Sequence, residues 1–120
     1  MIEDNFSDGR PDWVGLNLPN DLMFTPDVKP FELMKLRMLN AGGSALSYFA
    51  YLMGYRDVAK AMDDPLLSAY TRAYMDEASV AVPELPFDLN DYKDSVIERF
   101  QNELGDEIAR FAMDGTVKMQ

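Results

Sequence analysis

The sequence predicts an all-α fold, with room for one small β element near the N-terminus. Three observations carry this reading. Apolar residues recur at helical spacing through most of the chain after residue 30. Pro30 and Pro65 stand where a helix would begin and Gly54 where one would end. No strand–glycine-loop–helix unit and no G-x-G-x-x-G occurs, so nothing here builds a parallel sheet around a dinucleotide. With 120 residues the chain makes one small domain and can bury one core.

Residues 1–29 read as irregular. Gly9-Arg10-Pro11 and Leu18-Pro19-Asn20-Asp21 are turn signals. Between them Val14, Leu16 and Leu18 alternate, as do Leu22 and Phe24, which allows a short strand pair. Pro30 suits a first helical turn, where its missing N–H costs nothing. From Phe31 to Met53 the spacing of Leu33, Leu36, Leu39, Leu46, Phe49, Ala50 and Met53 predicts one long helix that stops at Gly54. Gly42-Gly43 is its weak point, since each glycine costs a helix interior up to ~1 kcal/mol relative to alanine. A short helix over Arg56–Met62 follows, with Val58, Ala59 and Met62 inward. Asp64-Pro65 reads as an N-cap and first helical residue, opening a third helix to about Ala78 that buries Leu66, Leu67, Tyr70, Tyr74 and Met75. Pro83 and Pro86 bracket a loop. Asn90 or Asp91 starts a fourth helix to about Asn102, with Tyr92, Val96, Ile97 and Phe100 inward. Gly105 interrupts, and a fifth helix covers Asp106–Met113 until Gly115 ends it.

Composition excludes several function classes. Apolar residues make up 48% of the chain and charged residues 27%, a globular balance. A net charge of −10 argues against nucleic acid and against an anionic membrane surface. No apolar run reaches the ~20 residues that span a bilayer. Met1-Ile2-Glu3-Asp4 has neither the basic nor the apolar part of a signal peptide, so the cytoplasm is the expected location. The chain has no cysteine and no histidine. Thiol and histidine catalysis and Cys/His metal sites are therefore absent, and chemistry falls to lysine, arginine, asparagine, tyrosine, serine or carboxylates.

Lys35, Asn40 and Gly43 share one broad face of the long helix, because five and eight α-helical steps rotate by roughly 140° and roughly 80°. A lysine in an apolar wall can serve as a general base and an asparagine amide can donate to an oxyanion. A snorkelling lysine and a locally satisfied asparagine explain the same spacing. Arg110 and Lys118, around Asp114-Gly115, are a second pair that can hold a polar or anionic ligand, or simply favour a helix C-terminus. Tyr48, Tyr51, Tyr55, Tyr70 and Tyr74 read as core. Asp63, Asp64, Asp76 and Glu77 read as caps or solvated charges rather than a metal site.

Specific strings add a resemblance. Ile2-Glu3-Asp4-Asn5-Phe6 with Gly9-Arg10-Pro11, then Pro30 through Asn40, then Ser44-Ala45-Leu46-Ser47-Tyr48 and Tyr51 through Tyr55, and finally Ala112 through Lys118, resemble in order the C-terminal domain of the long-chain mannitol dehydrogenase family. That family includes mannitol and arabinitol dehydrogenases and fructuronate and tagaturonate reductases. The resemblance implies a helical substrate domain like the C-terminal domain of 6-phosphogluconate dehydrogenase. It implies NAD or NADP for the full-length enzyme, with no cofactor bound by this chain alone and no metal. It also implies Lys35 as the group that exchanges the hydroxyl proton and Asn40 as part of the oxyanion site. Arg110 and Lys118 match positions that contact substrate. The family's histidine, three residues after the asparagine, is replaced by Gly43.

On this reading residues 1–120 are a partial substrate-binding domain of a polyol dehydrogenase or hexuronate reductase, cut at both ends. The nucleotide-binding domain is absent and the isolated piece inactive. The expected partners are a polyol, ketose or hexuronate, the missing domain, and a second copy through surface that truncation exposes. The competing reading is a non-catalytic helical interaction module from a degenerate or truncated gene.

Overall fold

The structure, a computed structural model, describes residues 1–13, 22–102 and 107–118, without the side chains of the last two. The alternation expected over residues 14–21 and the interruption expected at Gly105 lie outside the described residues. A two-residue strand β1 (Ile2–Glu3) pairs in parallel with β2 (Phe24–Thr25), Ile2 opposite Phe24. The Glu3 carboxylate accepts from the Val28 N–H at 3.1 Å, and Asp27 accepts from the Lys29 N–H at 3.0 Å. Together these contacts tie the strand pair to the first turn of α1 (Lys29–Lys35), where Pro30 sits.

The long helix is present with one modification. α1 runs into a π-helical turn, Leu36–Asn40, and on into α2 (Ala41–Leu52). Gly42 and Gly43 do not break it, because other helices pack on the backbone they leave bare. A Cβ at Gly42 would lie 3.1 Å from Met75 Cε, inside ordinary contact distance. Gly54, at φ +95°, ends the path in the left-handed region that glycine adopts readily.

Three aspartates start the next helices, each supplying an oxygen to an N–H that the first turn leaves unpaired. Asp57 accepts from Lys60 ahead of α3 (Val58–Met62), Asp64 from Leu66 ahead of α4 (Pro65–Ser79), and Asp88 from Asn90 ahead of α5 (Leu89–Gln101). α6 (Ile108–Lys118) is anchored at its start by the Ile108 N–H, which donates to the Arg56 carbonyl at 3.2 Å.

The core is rich in methionine. Met34, Met38, Met62 and Met75 are buried with Leu46, Leu67, Val96, Phe100 and Ile108. Unbranched thioether chains fill irregular gaps between helices of different length. Several expected core residues lie elsewhere. Leu66 is 67% exposed, and Leu36, Phe49, Tyr51 and Met53 are exposed as well. Burial on α4 follows Leu67, Thr71 and Met75, a narrow stripe that leaves Leu66 outside it. On α2 it follows Gly42, Gly43, Leu46, Ser47 and Ala50, which turns Phe49 outward onto the Tyr70 ring at 4.9 Å. Gly115 does not end the last helix; it lies buried within α6.

The radius of gyration is 16.7 Å, against about 14 Å for a compact domain of this length. Among the described residues no helix is long and apolar enough to cross a membrane.

α4 and α5 are held by charge. Lys93, nearly buried, donates to Asp76 at 2.7 Å, and Arg72 pairs with Asp94. The hydrogen bond from Lys93 holds the Asp76 carboxyl below its usual range; partial burial opposes this, while the Lys93 and Arg72 charges add to it. A carboxyl lowered on folding contributes stability that is complete above its unfolded value near about pH 4 and is lost as pH falls through the folded value. We therefore expect urea midpoints to drop below about pH 4 and Asp76→Asn to flatten that acid slope. Equal slopes for the two proteins would show that this pair does not couple folding to pH.

Candidate functional site

Two hollows flank the long helix, and they divide the residues singled out in the sequence. The first is a groove of about 530 Å3 between α2, α4 and α6, lined by Asn40, Ser44, Tyr48, Tyr74, Phe111 and Asp114 among others. The second is a shallower hollow of about 660 Å3, where Lys35 stands at an apolar surface made by Met23, Val28, Phe31, Met34 and Tyr92. Lys35 is exposed and Asn40 half-buried. The two lie in different hollows, although the groove begins at Leu36, the residue after Lys35.

The π turn sets their relation. Its hydrogen bonds include Ala41 N–H to the Leu36 carbonyl, five residues back. A ring closed over five residues brings the fifth nearer to the face of the first, so Asn40 lies closer to the Lys35 face than five α-helical steps, roughly 140°, would put it. Such turns are frequently found at functional sites.

Gly43 opens into neither hollow. It is buried behind the groove, and a Cβ there would meet Phe111 Cδ1 at 3.0 Å and Phe100 Cζ at 3.5 Å. Its carbonyl accepts from Ser47 Oγ at 2.6 Å. Arg110 is exposed on α6 and lines neither hollow; Lys118 lies in the last turn of α6, with its side chain outside the described residues. Gly43 thus packs against α6, Asn40 lines the first groove, and Lys35 stands at the second hollow.

Sequence reasoning missed the groove itself. Asn40, Ser44 and Tyr48 form a stripe at i, i+4 and i+8, and that spacing is the signal that could have found it. Ser44 Oγ donates to the Asn40 carbonyl at 3.2 Å. Tyr74 sits at the groove wall, where burial pushes its hydroxyl above the usual value, with Tyr70 and Glu77 adding to the shift; the ring therefore stays neutral. Among the described residues no cluster of three or more metal-ligating side chains occurs. These residues do not fit a dinucleotide either: the described sheet has two strands of two residues, and the chain has no G-x-G-x-x-G.

The Phe111 ring occupies the space a side chain at Gly43 would need. Gly43→His should therefore destabilise the chain by about 1–3 kcal/mol, the usual cost of overpacking. Phe111→Ala should relieve part of that cost, giving a favourable coupling of about 0.5–3 kcal/mol in a double-mutant cycle read by denaturant unfolding. Additive effects would mean that the two positions do not compete for one space.

The sequence profile of the mannitol dehydrogenase C-terminal domain matches residues 27–120. A mannitol dehydrogenase of Saccharomyces cerevisiae is 42% identical over 124 residues, covering 99% of this chain and 24% of the relative. The D-mannonate oxidoreductase of Escherichia coli is 41% identical over 122 residues, with the same coverage of 99% and 24%. Among solved structures, the Pseudomonas fluorescens mannitol 2-dehydrogenase in ternary complex with NAD and D-mannitol matches with a TM-score of 0.77 at 41% identity, over 92% of this chain and 22% of that one. A substrate-free D-sorbitol dehydrogenase matches with a TM-score of 0.87 at 34% identity, over 99% of this chain and 25% of that one. The chain spans about a quarter of the length of these proteins. It belongs to the mannitol dehydrogenase C-terminal domain family.

Proposed function

We propose that this chain is the substrate-side part of an NAD(P)-dependent enzyme that interconverts a sugar alcohol and a ketose, or reduces a keto-hexuronate, in the cytoplasm. The observation that carries the reading is the wide helical turn between exposed Lys35 and half-buried Asn40, which draws Asn40 toward the Lys35 face. Lys35 takes the proton of the substrate hydroxyl in the oxidising direction and returns it to the oxygen in the reducing direction. The Asn40 amide donates to that oxygen as charge develops on it. Arg110 and Lys118, on α6, contact the substrate. A nicotinamide dinucleotide supplies the redox chemistry when bound; its site falls outside these residues.

Exposed apolar side chains such as Leu52, 82% exposed, and Leu66 present surface that the nucleotide-binding portion or a second copy would cover. Sedimentation at high concentration should report a dimer or larger species. A clean monomer that binds no hydrophobic dye would remove this part of the proposal.

The catalytic part is tested by activity. The isolated 120-residue chain should oxidise no polyol with NAD or NADP, since no segment of it holds the acceptor beside the reacting carbon. Exchanged for the matching segment of a full-length mannitol 2-dehydrogenase, it should yield an impaired but measurable enzyme. There Lys35→Ala should lower kcat by about 100- to 10,000-fold and Asn40→Ala by about 100- to 1,000-fold. Unchanged turnover in Lys35→Ala would rule out Lys35 as the base.

A further inference from the structure

We propose that Ser44, Tyr48 and Asp114 form a subsite for the hydroxyls of a linear polyol remote from the reacting carbon, so that the groove beyond Asn40 sets the preferred chain length. The inference rests on the reading of Asn40 as a group beside the reacting oxygen. It adds three residues that the sequence analysis did not place at the substrate.

The geometry starts at Gly115. A Cβ there would lie 2.6 Å from Ser44 Oγ and 2.6 Å from Tyr48 Oη, closer than real Cβ contacts come. The two hydroxyls therefore pack against the Gly115 backbone, and only a residue without a side chain lets them lie side by side against α6 at the wall of the groove. Asp114, the preceding residue of α6, lines the same groove. Ser44 Oγ spends its proton on the Asn40 carbonyl and keeps its lone pairs. Among the described residues, no protein hydrogen bond is formed by Tyr48 Oη. The Asp114 carboxylate only accepts. The groove thus offers acceptors at Ser44 and Asp114 and a hydroxyl free to donate or accept at Tyr48.

That pattern suits a row of alcohol groups, each of which donates one hydrogen bond and accepts others. The remaining walls are Leu36, Ala41, Ala45 and the rings of Tyr70, Tyr74 and Phe111, on which the C–H faces of a carbon chain can rest. From Asn40 to Tyr48 the stripe is ~12 Å long at 1.5 Å per residue, enough for a hexitol with one end at Asn40. A purely apolar occupant would cover the Tyr48 hydroxyl without giving it a partner, which carries a desolvation cost.

The test is a titration of the 15N-labelled chain, followed by amide shifts, with D-mannitol and with the shorter erythritol. D-Mannitol should move the amides of Ser44, Ala45, Tyr48 and Gly115 and should bind more tightly than erythritol. Tyr48→Phe and Ser44→Ala, checked by unchanged amide dispersion, should each weaken D-mannitol by about 3- to 10-fold and leave erythritol within about twofold. A merely structural role would weaken both polyols alike, and that result would overturn the subsite. Shifts confined to the hollow around Phe31, Met34 and Lys35 would overturn it too, leaving polyol binding intact. With no shift from either polyol, the subsite falls; if turnover of the segment-exchanged enzyme still depends on Lys35, the proposed function stands without it, and if not, both fall.

Discussion

The structure depends on a stretch of α2 that carries no side chains where its neighbours press hardest. At Gly42 the Met75 thioether of α4 lies against bare backbone, and at Gly43 the Phe111 ring of α6 and the Phe100 ring of α5 do the same. Three helices thereby take their distance from one turn of a fourth. Glycine weakens a helix by up to ~1 kcal/mol per residue, and here that cost is offset by the dispersion and apolar burial that close approach permits. α6 answers with its own glycine: Gly115 lets it settle onto the hydroxyls of Ser44 and Tyr48.

The π turn is the second constraint, and it acts on the first. By inserting one residue between α1 and α2 it lets the buried stripe of α2 face α4 and α6 while Met34 and Met38 stay in the core on the preceding turns. An unbroken α-helix could satisfy one of these registers or the other. The Arg37 guanidinium, inside the turn, donates to the Ala81 carbonyl beyond the end of α4. That contact fixes the turn against the helix whose methionine rests on Gly42. Position along the chain, packing and the separation of Lys35 from Asn40 are thus one problem with one solution.

The local signals in the sequence were legible where a single residue decides a helix end. Asp64-Pro65 starts α4, with Asp64 accepting from the Leu66 N–H, and Gly54 closes α2 at positive φ. They failed where a distant element decides. Gly115 looks like a stop to any local reading, yet Ser44 and Tyr48 make it a contact. Leu66 and Phe49 carry the spacing of core residues, but the real stripes are narrower and run beside them. The π turn left no trace, since Leu36 through Asn40 are ordinary helix residues. The strand pair joins Ile2 to Phe24, a parallel match between segments too far apart for alternation to reveal. At the candidate site, Lys35 and Asn40 came into view through resemblance. The groove lining, by contrast, was present as an i, i+4, i+8 stripe that only a facing helix makes meaningful.

The departure at Gly43 has a physical counterpart in the same structure. The resemblance implies an imidazole where this chain has hydrogen, and an imidazole would supply both a ring to fill space and a titratable donor. Here the ring comes from the opposite helix: Phe111 stands against the Gly43 backbone, with Phe100 meeting it edge-on at a centroid distance of 6.4 Å. Packing is thereby retained while the donor is lost. The chain holds no histidine to replace it, so the polar groups left near Asn40 are hydroxyls and the Asp114 carboxylate. Those groups can orient a ligand by donating and accepting hydrogen bonds. On the proposed reading the proton passes through Lys35, while the α2–α6 groove holds and measures the substrate.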